Sequence, residues 1–474
     1  MQTDYQSSEV IMASSAINTP NALSGDSARE ISFTGRQLTR LIIPLVIEQF
    51  LAVLVGMADT VMVSGGNEFA TSAVSTVDTL NNLLINLFSA MGAGGAVVAA
   101  QYLGHGEQGK ACKAAKLLLY ASLAVSFLIA VIAAPLRGAI IEGFYGSLNT
   151  ETKEMCKAYL LMSALSYPFL GIYNGGVGIL RAQGDSRSSM ISSTIMNAVN
   201  IGGNALLIGP CGLGVTGAGL ASLVSRAVCA LIIMRILCRK KLAIHLEEPF
   251  RPEWDRRMLR RILSIGLPSG AENSLFQVGK LIIMVIITRL PAAMIAANAA
   301  VNSLSGFPNI PGSAVGLAAI TVIGQCVGAS NFAQARRYGK KLQLIIFLSI
   351  LPLNVIIFAF CPVFLGLFGL ERTPGAYEAA LQVEKIYCLL SVLFWMPSFG
   401  LPNILRAAGD ARFTMTVSII SMLVLRVGLS FILVDVFHMQ ILGVWLAMHA
   451  DWACRAVCFV LRFRGRRWLE HRVI

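Results

Sequence analysis

Residues Leu41 to Ser64, LIIPLVIEQFLAVLVGMADTVMVS, are long enough to cross a bilayer, yet Pro44, Glu48 and Asp59 interrupt the apolar run. About 20 apolar residues span the hydrocarbon core, and a carboxylate near its centre costs roughly 2.5–3.5 kcal/mol even on the gentler insertion scale. Both acids therefore need a polar cavity, a proton or a cation. Glu48 and Asp59 are eleven positions apart, which at ~100° per residue returns them to within about 20° of each other around a helix. One face of this helix is acidic. Pro44 lies one turn before Glu48 on nearly that face; it removes a backbone hydrogen bond and makes a conformational hinge possible beside the charges.

The rest of the chain is of the same kind. It is 55% hydrophobic and only 13% charged, against about 25% charged in soluble domains. Long apolar runs between charged punctuation predict twelve spans, near 41–64, 70–100, 114–135, 156–180, 188–209, 214–237, 262–289, 292–325, 342–368, 380–404, 412–435 and 441–463. The net charge of +13 does not indicate a nucleic-acid partner, because most Lys and Arg sit in alternate connections and at the flanks. Examples are Arg36 and Arg40, Lys110 to Lys116, the run from Arg235 to Arg261, and Arg336 to Lys341; the other connections hold few, Arg137, Lys153, Arg289 and Arg372. That asymmetry predicts that the basic loops and both termini are cytoplasmic. Residues 1–34 read as a loose cytoplasmic tail and 464–474 as a basic one. The ten cysteines are scattered without a C-x-x-C pair, so neither zinc nor a disulfide framework is indicated.

A shift of about 224 positions overlays the two halves. Pro44 meets Pro268, Glu48 meets Glu272, and QYLG at Gln101–Gly104 meets QCVG at Gln325–Gly328. At a shift of 225, RAQGD from Arg181 to Asp185 meets RAAGD from Arg406 to Asp410. Six spans per copy is an even number, so both copies enter the membrane alike and the repeat is parallel, with its pseudo-two-fold axis along the membrane normal. The expected architecture is an all-α integral membrane protein with an N-lobe at 35–237, a tethering linker at 238–257 and a C-lobe at 258–463. Two such lobes leave a central cleft between them. In each Gly-Asp turn, Gly is expected to close one helix and Asp185 or Asp410 to cap the next.

Depth counting brings Asp59, Asp78, Asn200 and Asn204 to one level in the outer half of the first lobe. Asn197, Asn200 and Asn204 form one helical stripe. Carboxylate and amide oxygens suit a hard cation or a protonated acid; amides that glue helices together are the structural alternative. Glu48 lies deeper, where a relay, a substrate counter-charge or a local ion pair are all open. In the second lobe Glu272 and Lys280 are about 80° apart on one span and Arg426 interrupts another; mutual ion pairing is expected, with a transport role as the alternative. Asn298 and Asn302 read as packing residues. The run AMGAGGAVVAA, Ala90 to Ala100, allows close helix approach. No phosphate loop and no Ser/His/Asp elbow is present in the sequence, so an enzyme is not expected.

The ordered set IPLVIEQFLAVLVGMADTVMVS, GLPSGAENSLFQVGK, QYLG and QCVG, RAQGD and RAAGD resembles the multidrug and toxic compound extrusion (MATE) family, DinF-like branch, from about Arg40 to Arg464. The resemblance implies an antiporter of the bacterial inner membrane that exports amphipathic, often cationic, organic compounds in exchange for H⁺ or Na⁺, without another cofactor. It implies that the acid fifteen residues after the first-span proline, here Asp59 after Pro44, carries the coupling ion. The family's N-x-x-x-D falls on Asn200 and Asn204, so the second acid is replaced by an amide; Asp78 is an alternative supplier. A sodium ion would then rest on Asp59 and Asn200. The acid that the NorM-like branch uses in the second lobe falls on Phe276. A monomer is expected. The main rival is a flippase for a lipid-linked precursor on a related scaffold, which would require a strongly cationic cleft.

Overall fold

A computed structural model describes residues 31–64, 68–146, 148–249, 251, 253–370, 373–470 and 473–474, without the side chains of 57–61, 63, 64 and 68. Among the described residues there is no strand, and twelve helical segments are long and apolar enough to cross a membrane. The N-lobe comprises α1 (Gly35–Ser64), α2 (Glu68–His105), α3 (Gln108–Tyr145), α4 (Thr150–Ala182), α5 (Ser186–Ile208) and α6 (Gly214–Leu237). The C-lobe comprises α7 (Arg256–Ile287), α8 (Ala292–Ser305), α9 (Asn309–Gly328), α10 (Phe332–Ala359), α11 (Ala376–Ala407), α12 (Ala411–Val436) and α13 (Gln440–Arg464).

One expected span is two helices. The run 292–325 breaks between Ser305 and Asn309, where Gly306 lowers helix propensity and Pro308 cannot donate to the ladder. Two other helices stay continuous but contain widened π turns, Met396–Gly400 in α11 and Met422–Gly428 and Ile432–Val436 in α12. Polar side chains set several starts. Asn149 caps α4 and Asn331 caps α10, each accepting from a backbone N–H. Asp255 accepts from the N–H groups of Arg257 and Met258 at the start of α7; the Met258 bond is the first cause holding its carboxyl below the ordinary range.

The repeat seen in the sequence is a repeat of contacts. Gly184 (φ +88°) and Gly409 (φ +107°) occupy the left-handed region after α4 and α11, as the Gly-Asp turns require. Asp185 caps α5 through Ser188 N–H at 3.1 Å. Asp410 does not cap α12: its carboxylate is 2.7 Å from Arg462 Nε instead. An arginine on α13 outcompetes the backbone for that oxygen.

The lobes meet most closely at the end that carries the basic connections. Gly104 on α2 lies against the backbone carbonyl of Gln325, and Gly328 on α9 against that of Gln101, so a Cβ on either glycine would collide with it. The glutamine side chains complete the exchange. Gln101 Nε2 donates to Ala407 O at 3.0 Å, and Gln325 Nε2 to Ala182 O at 3.0 Å. Each thus satisfies a carbonyl at the end of a helix in the opposite lobe, groups that have no partner inside their own helix. Thr321 adds a bond to Arg181 O, and Arg261 one to the Tyr102 hydroxyl.

The linker and the C-terminal tail are packed against the lobes. Ile244 is fully buried on the N-lobe, Ile244 N–H donates to Gln183 Oε1 at 2.9 Å, and Tyr120 OH donates to Pro249 O at 2.6 Å. Past α13, Trp468 is buried and stacks on Phe463, and Val473 N–H donates to Gln101 Oε1 at 3.1 Å. Within the expected N-terminal tail, residues 1–30 lie outside the described residues.

Candidate functional site

Each lobe places one buried carboxylate on its first helix, one turn after a proline. Glu48 on α1 pairs with Arg181 of α4 at 2.6 Å and accepts from Ser189 Oγ of α5 at 2.9 Å. Glu272 on α7 pairs with Arg406 of α11 at 2.9 Å. These are the same pair in the two repeats. Pro44 and Pro268 sit inside continuous helices. Pro44 leaves Arg40 O without its helical donor, and Ser186 Oγ lies 3.5 Å from that oxygen and 2.7 Å from Leu41 O.

In the N-lobe, Asp59 is helical in α1, but its side chain lies outside the described residues. Asp78 turns toward α4: its Oδ1 accepts from Tyr159 OH at 3.1 Å and from Asn81 Nδ2 at 3.2 Å. Asn81 continues to Ser163 and accepts from Tyr167 OH. The amide stripe faces α6, with Asn200 Nδ2 3.1 Å from Ser222 Oγ and Asn204 Nδ2 3.4 Å from Asn200 Oδ1. Asp78 is thus tied to α4 through Tyr159, and Asn200 to α6 through Ser222. Arg226 of α6, one turn beyond Ser222, reaches across to α4 by donating to Ser166 Oγ at 2.6 Å. It was not anticipated, although a lone charge inside an apolar span is the signal that marks such residues.

The C-lobe differs. Lys280 and Arg426 do not pair with Glu272, whose partners are Arg406 and, at 3.8 Å, Arg455 of α13. Both cations instead approach the ring of Phe276, Lys280 Nζ at 5.1 Å and Arg426 Cζ at 5.3 Å, distances at which an aromatic quadrupole attracts them. Arg455 Cζ stands 6.0 Å from the same ring and 4.9 Å from Phe399. Asp451 is fully buried beside Ser421, with no hydrogen bond of ordinary geometry to either oxygen. Arg455 and Asp451 were likewise not anticipated. The helix wheel gives a direction for a side chain but not which neighbour stands there. Asn298 accepts from Trp445 Nε1 at 3.2 Å, a packing contact of α8 with α13.

No group of three or more His, Cys, Asp or Glu able to hold a metal occurs among the described residues. A model of the MatE family matches residues 44–206 and again 268–432. This chain belongs to the MatE family. The two matched stretches begin at Pro44 and Pro268, so the family unit is the repeat itself. As a MatE protein the chain is a multi-pass membrane transporter rather than an enzyme. Among its relatives, "Uncharacterized transporter YisQ" of Bacillus subtilis is 26% identical over 438 residues, covering 90% of this chain and 93% of that protein. "Probable multidrug resistance protein NorM" of Thermotoga maritima is 25% identical over 455 residues, covering 94% and 95%. A solved structure described as an outward-facing conformation of a multidrug resistance MATE family transporter has a TM-score of 0.85 at 21% identity, covering 92% of this chain and 96% of that one. That likeness establishes the twelve-helix, two-lobe MATE fold. Within it, the arrangement offers ionisable groups inside both lobes and a seam that closes one end.

Proposed function

We propose that this MATE transporter is a secondary active antiporter that exports amphipathic organic compounds, cations among them, in exchange for H⁺ or Na⁺. The observation that carries the reading is the paired glutamine clasp between the lobes at the basic end, together with family membership. A two-lobe scaffold sealed at one end by reciprocal, breakable contacts suits alternating access by rocking. The basic connections and both termini face the cytoplasm by the charge rule, so the seal is the inner gate of a monomer in a bacterial inner membrane. Relatives named as multidrug resistance proteins support the drug-like cargo.

Asp59 carries the coupling ion, assisted by Asn200 and Asn204, with Asp78 as the further acid of the lobe. Ion occupancy there changes how α1 nests against α5, with Pro44 as the hinge. Glu48 and Glu272 hold α1 and α7 to α4 and α11. Everted vesicles given separate proton and sodium gradients test the coupling through ethidium or norfloxacin uptake. Asp59→Asn is expected to abolish gradient-driven uptake at unchanged protein abundance. Full residual uptake would remove Asp59 from the mechanism.

A further inference from the structure

The C-lobe holds more positive charge than its packing uses. Four cations, Lys280, Arg406, Arg426 and Arg455, stand around two carboxylates, Glu272 and Asp451. Arg406 is committed to Glu272. Arg455 is 3% exposed, yet among the described residues its Nε and Nη1 have no acceptor, and its one ion pair there, through Nη2, is long at 3.8 Å. The rings of Phe276, Phe399 and Phe459 fix its guanidinium in place. A buried guanidinium with idle N–H groups is costly unless something else accepts from it.

The scaffold does not require these cations. At the repeat shift, Lys280 corresponds to Gly56, Arg426 to Ile201 and Arg455 to Ala230, while the structural pair of Glu272 and Arg406 has its counterpart in Glu48 and Arg181. The cations are therefore an addition to one lobe. Arg426 sits in the π turn Met422–Gly428, a distortion that re-aims side chains and often marks functional positions.

Of the three, Lys280 also reaches accessible space. Gly266 and Gly270 of α7 pack on Met91 and Leu87 of α2. Met284, eighteen residues past Gly266 and so on the same face at ~100° per residue, is 48% exposed. The two helices thus part beyond their contact. Lys280 is exposed and lies about 40° from that face, between the cleft and the lobe interior. Glu272, Phe276, Ser418 and Met422 line a small recess of about 10 Å³ next to the Phe276 ring, room for about one water, where Ser418 Oγ is a further hydroxyl without a partner among the described residues.

We propose that Lys280, Arg426 and Arg455 around Phe276 form a subsite for the carboxylate of an amphipathic substrate, so that the transporter prefers anionic or zwitterionic compounds over simple lipophilic cations. Lys280 meets the carboxylate at the cleft, and Arg455 and Arg426 receive it from within. This rests on the export reading for its meaning in transport, but binding can be measured without transport.

The experiment uses two dyes that share a xanthene body, anionic carboxyfluorescein and cationic rhodamine 123, with purified full-length protein in a neutral detergent and binding followed by fluorescence polarisation. Carboxyfluorescein should bind at least about tenfold more tightly, the scale of one charge-assisted hydrogen bond. Lys280→Gln should lower that preference about tenfold at unchanged melting temperature, and Lys280→Arg should retain it. Equal or tighter rhodamine binding overturns the proposal, as does a preference that ignores Lys280→Gln. So does displacement by millimolar inorganic phosphate as effective as displacement by the dye, which would indicate a site for any small anion. Binding of a polyprenyl phosphate without carboxyfluorescein would overturn it in favour of a lipid carrier. If the charge preference holds but vesicles show no gradient-driven dye movement, the export reading fails and the subsite stands.

Discussion

At the residue scale, the twofold pair Glu48–Arg181 and Glu272–Arg406 governs how tightly each lobe holds its first helix. Both members of the first pair are largely buried, with side chains 7% and 14% exposed. Removing one partner of a buried pair leaves an uncompensated charge and costs about 3–5 kcal/mol, whereas replacing both by apolar residues of similar volume is often neutral. Glu48→Leu is therefore expected to lower the melting temperature sharply in detergent, and Glu48→Leu combined with Arg181→Met to recover most of the loss. A double variant as unstable as the single one would show that the pair is itself a stabilising unit. The carboxylates were legible in the sequence because glutamate inside an apolar span is conspicuous and recurs at a fixed shift. Their partners were less so. Lys280 lies on the same helix as Glu272 and looked like its natural mate, but the guanidinium of Arg406 reaches the carboxylate from another helix, and Lys280 turns to an aromatic ring instead.

At the scale of elements, the sequence located the segments well and their interruptions poorly. Counting apolar residues joined α8 to α9, because Gly306, Phe307 and Pro308 scarcely lower the hydropathy of the window while they end the hydrogen-bond ladder. The motifs QYLG and QCVG, by contrast, were visible as a repeat, and their use is physical. Glycine permits the backbones of α2 and α9 to touch, and glutamine reaches across to a helix-end carbonyl. Each such bond contributes about 0.5–1.5 kcal/mol net, so replacing Gln101 and Gln325 by Leu should shift the balance between closed and open basic ends by about 5–150-fold. Spin labels on Cys238 and on Arg337→Cys, in a Cys211→Ser background, would report this as a longer distance across the basic end. An unchanged distance distribution would mean that the glycine contact and the bonds of Thr321 and Arg261 suffice to keep the seam shut.

For the whole molecule, the proposed antiport asks how two lobes would turn ion movement into work. One elementary charge moved inward across 100 mV supplies about 2.3 kcal/mol, enough for roughly fiftyfold accumulation if coupling is tight. Spending that energy on export, as proposed, needs the clasped end to face the cytoplasm, so that opening it admits substrate from the compartment to be cleared. Two native cysteines make this orientation measurable. Cys211 lies between α5 and α6 and Cys238 follows α6, and both are exposed. The 24 residues of α6 hold them about 36 Å apart at ~1.5 Å per residue, on opposite sides of the membrane. In intact cells a membrane-impermeant maleimide is expected to label Cys211 and to leave Cys238 unreacted until the membrane is permeabilised. In everted vesicles the order should reverse. Labelling of Cys238 first in intact cells would invert the orientation, place the glutamine clasp on the outside, and turn the same machinery from export toward uptake.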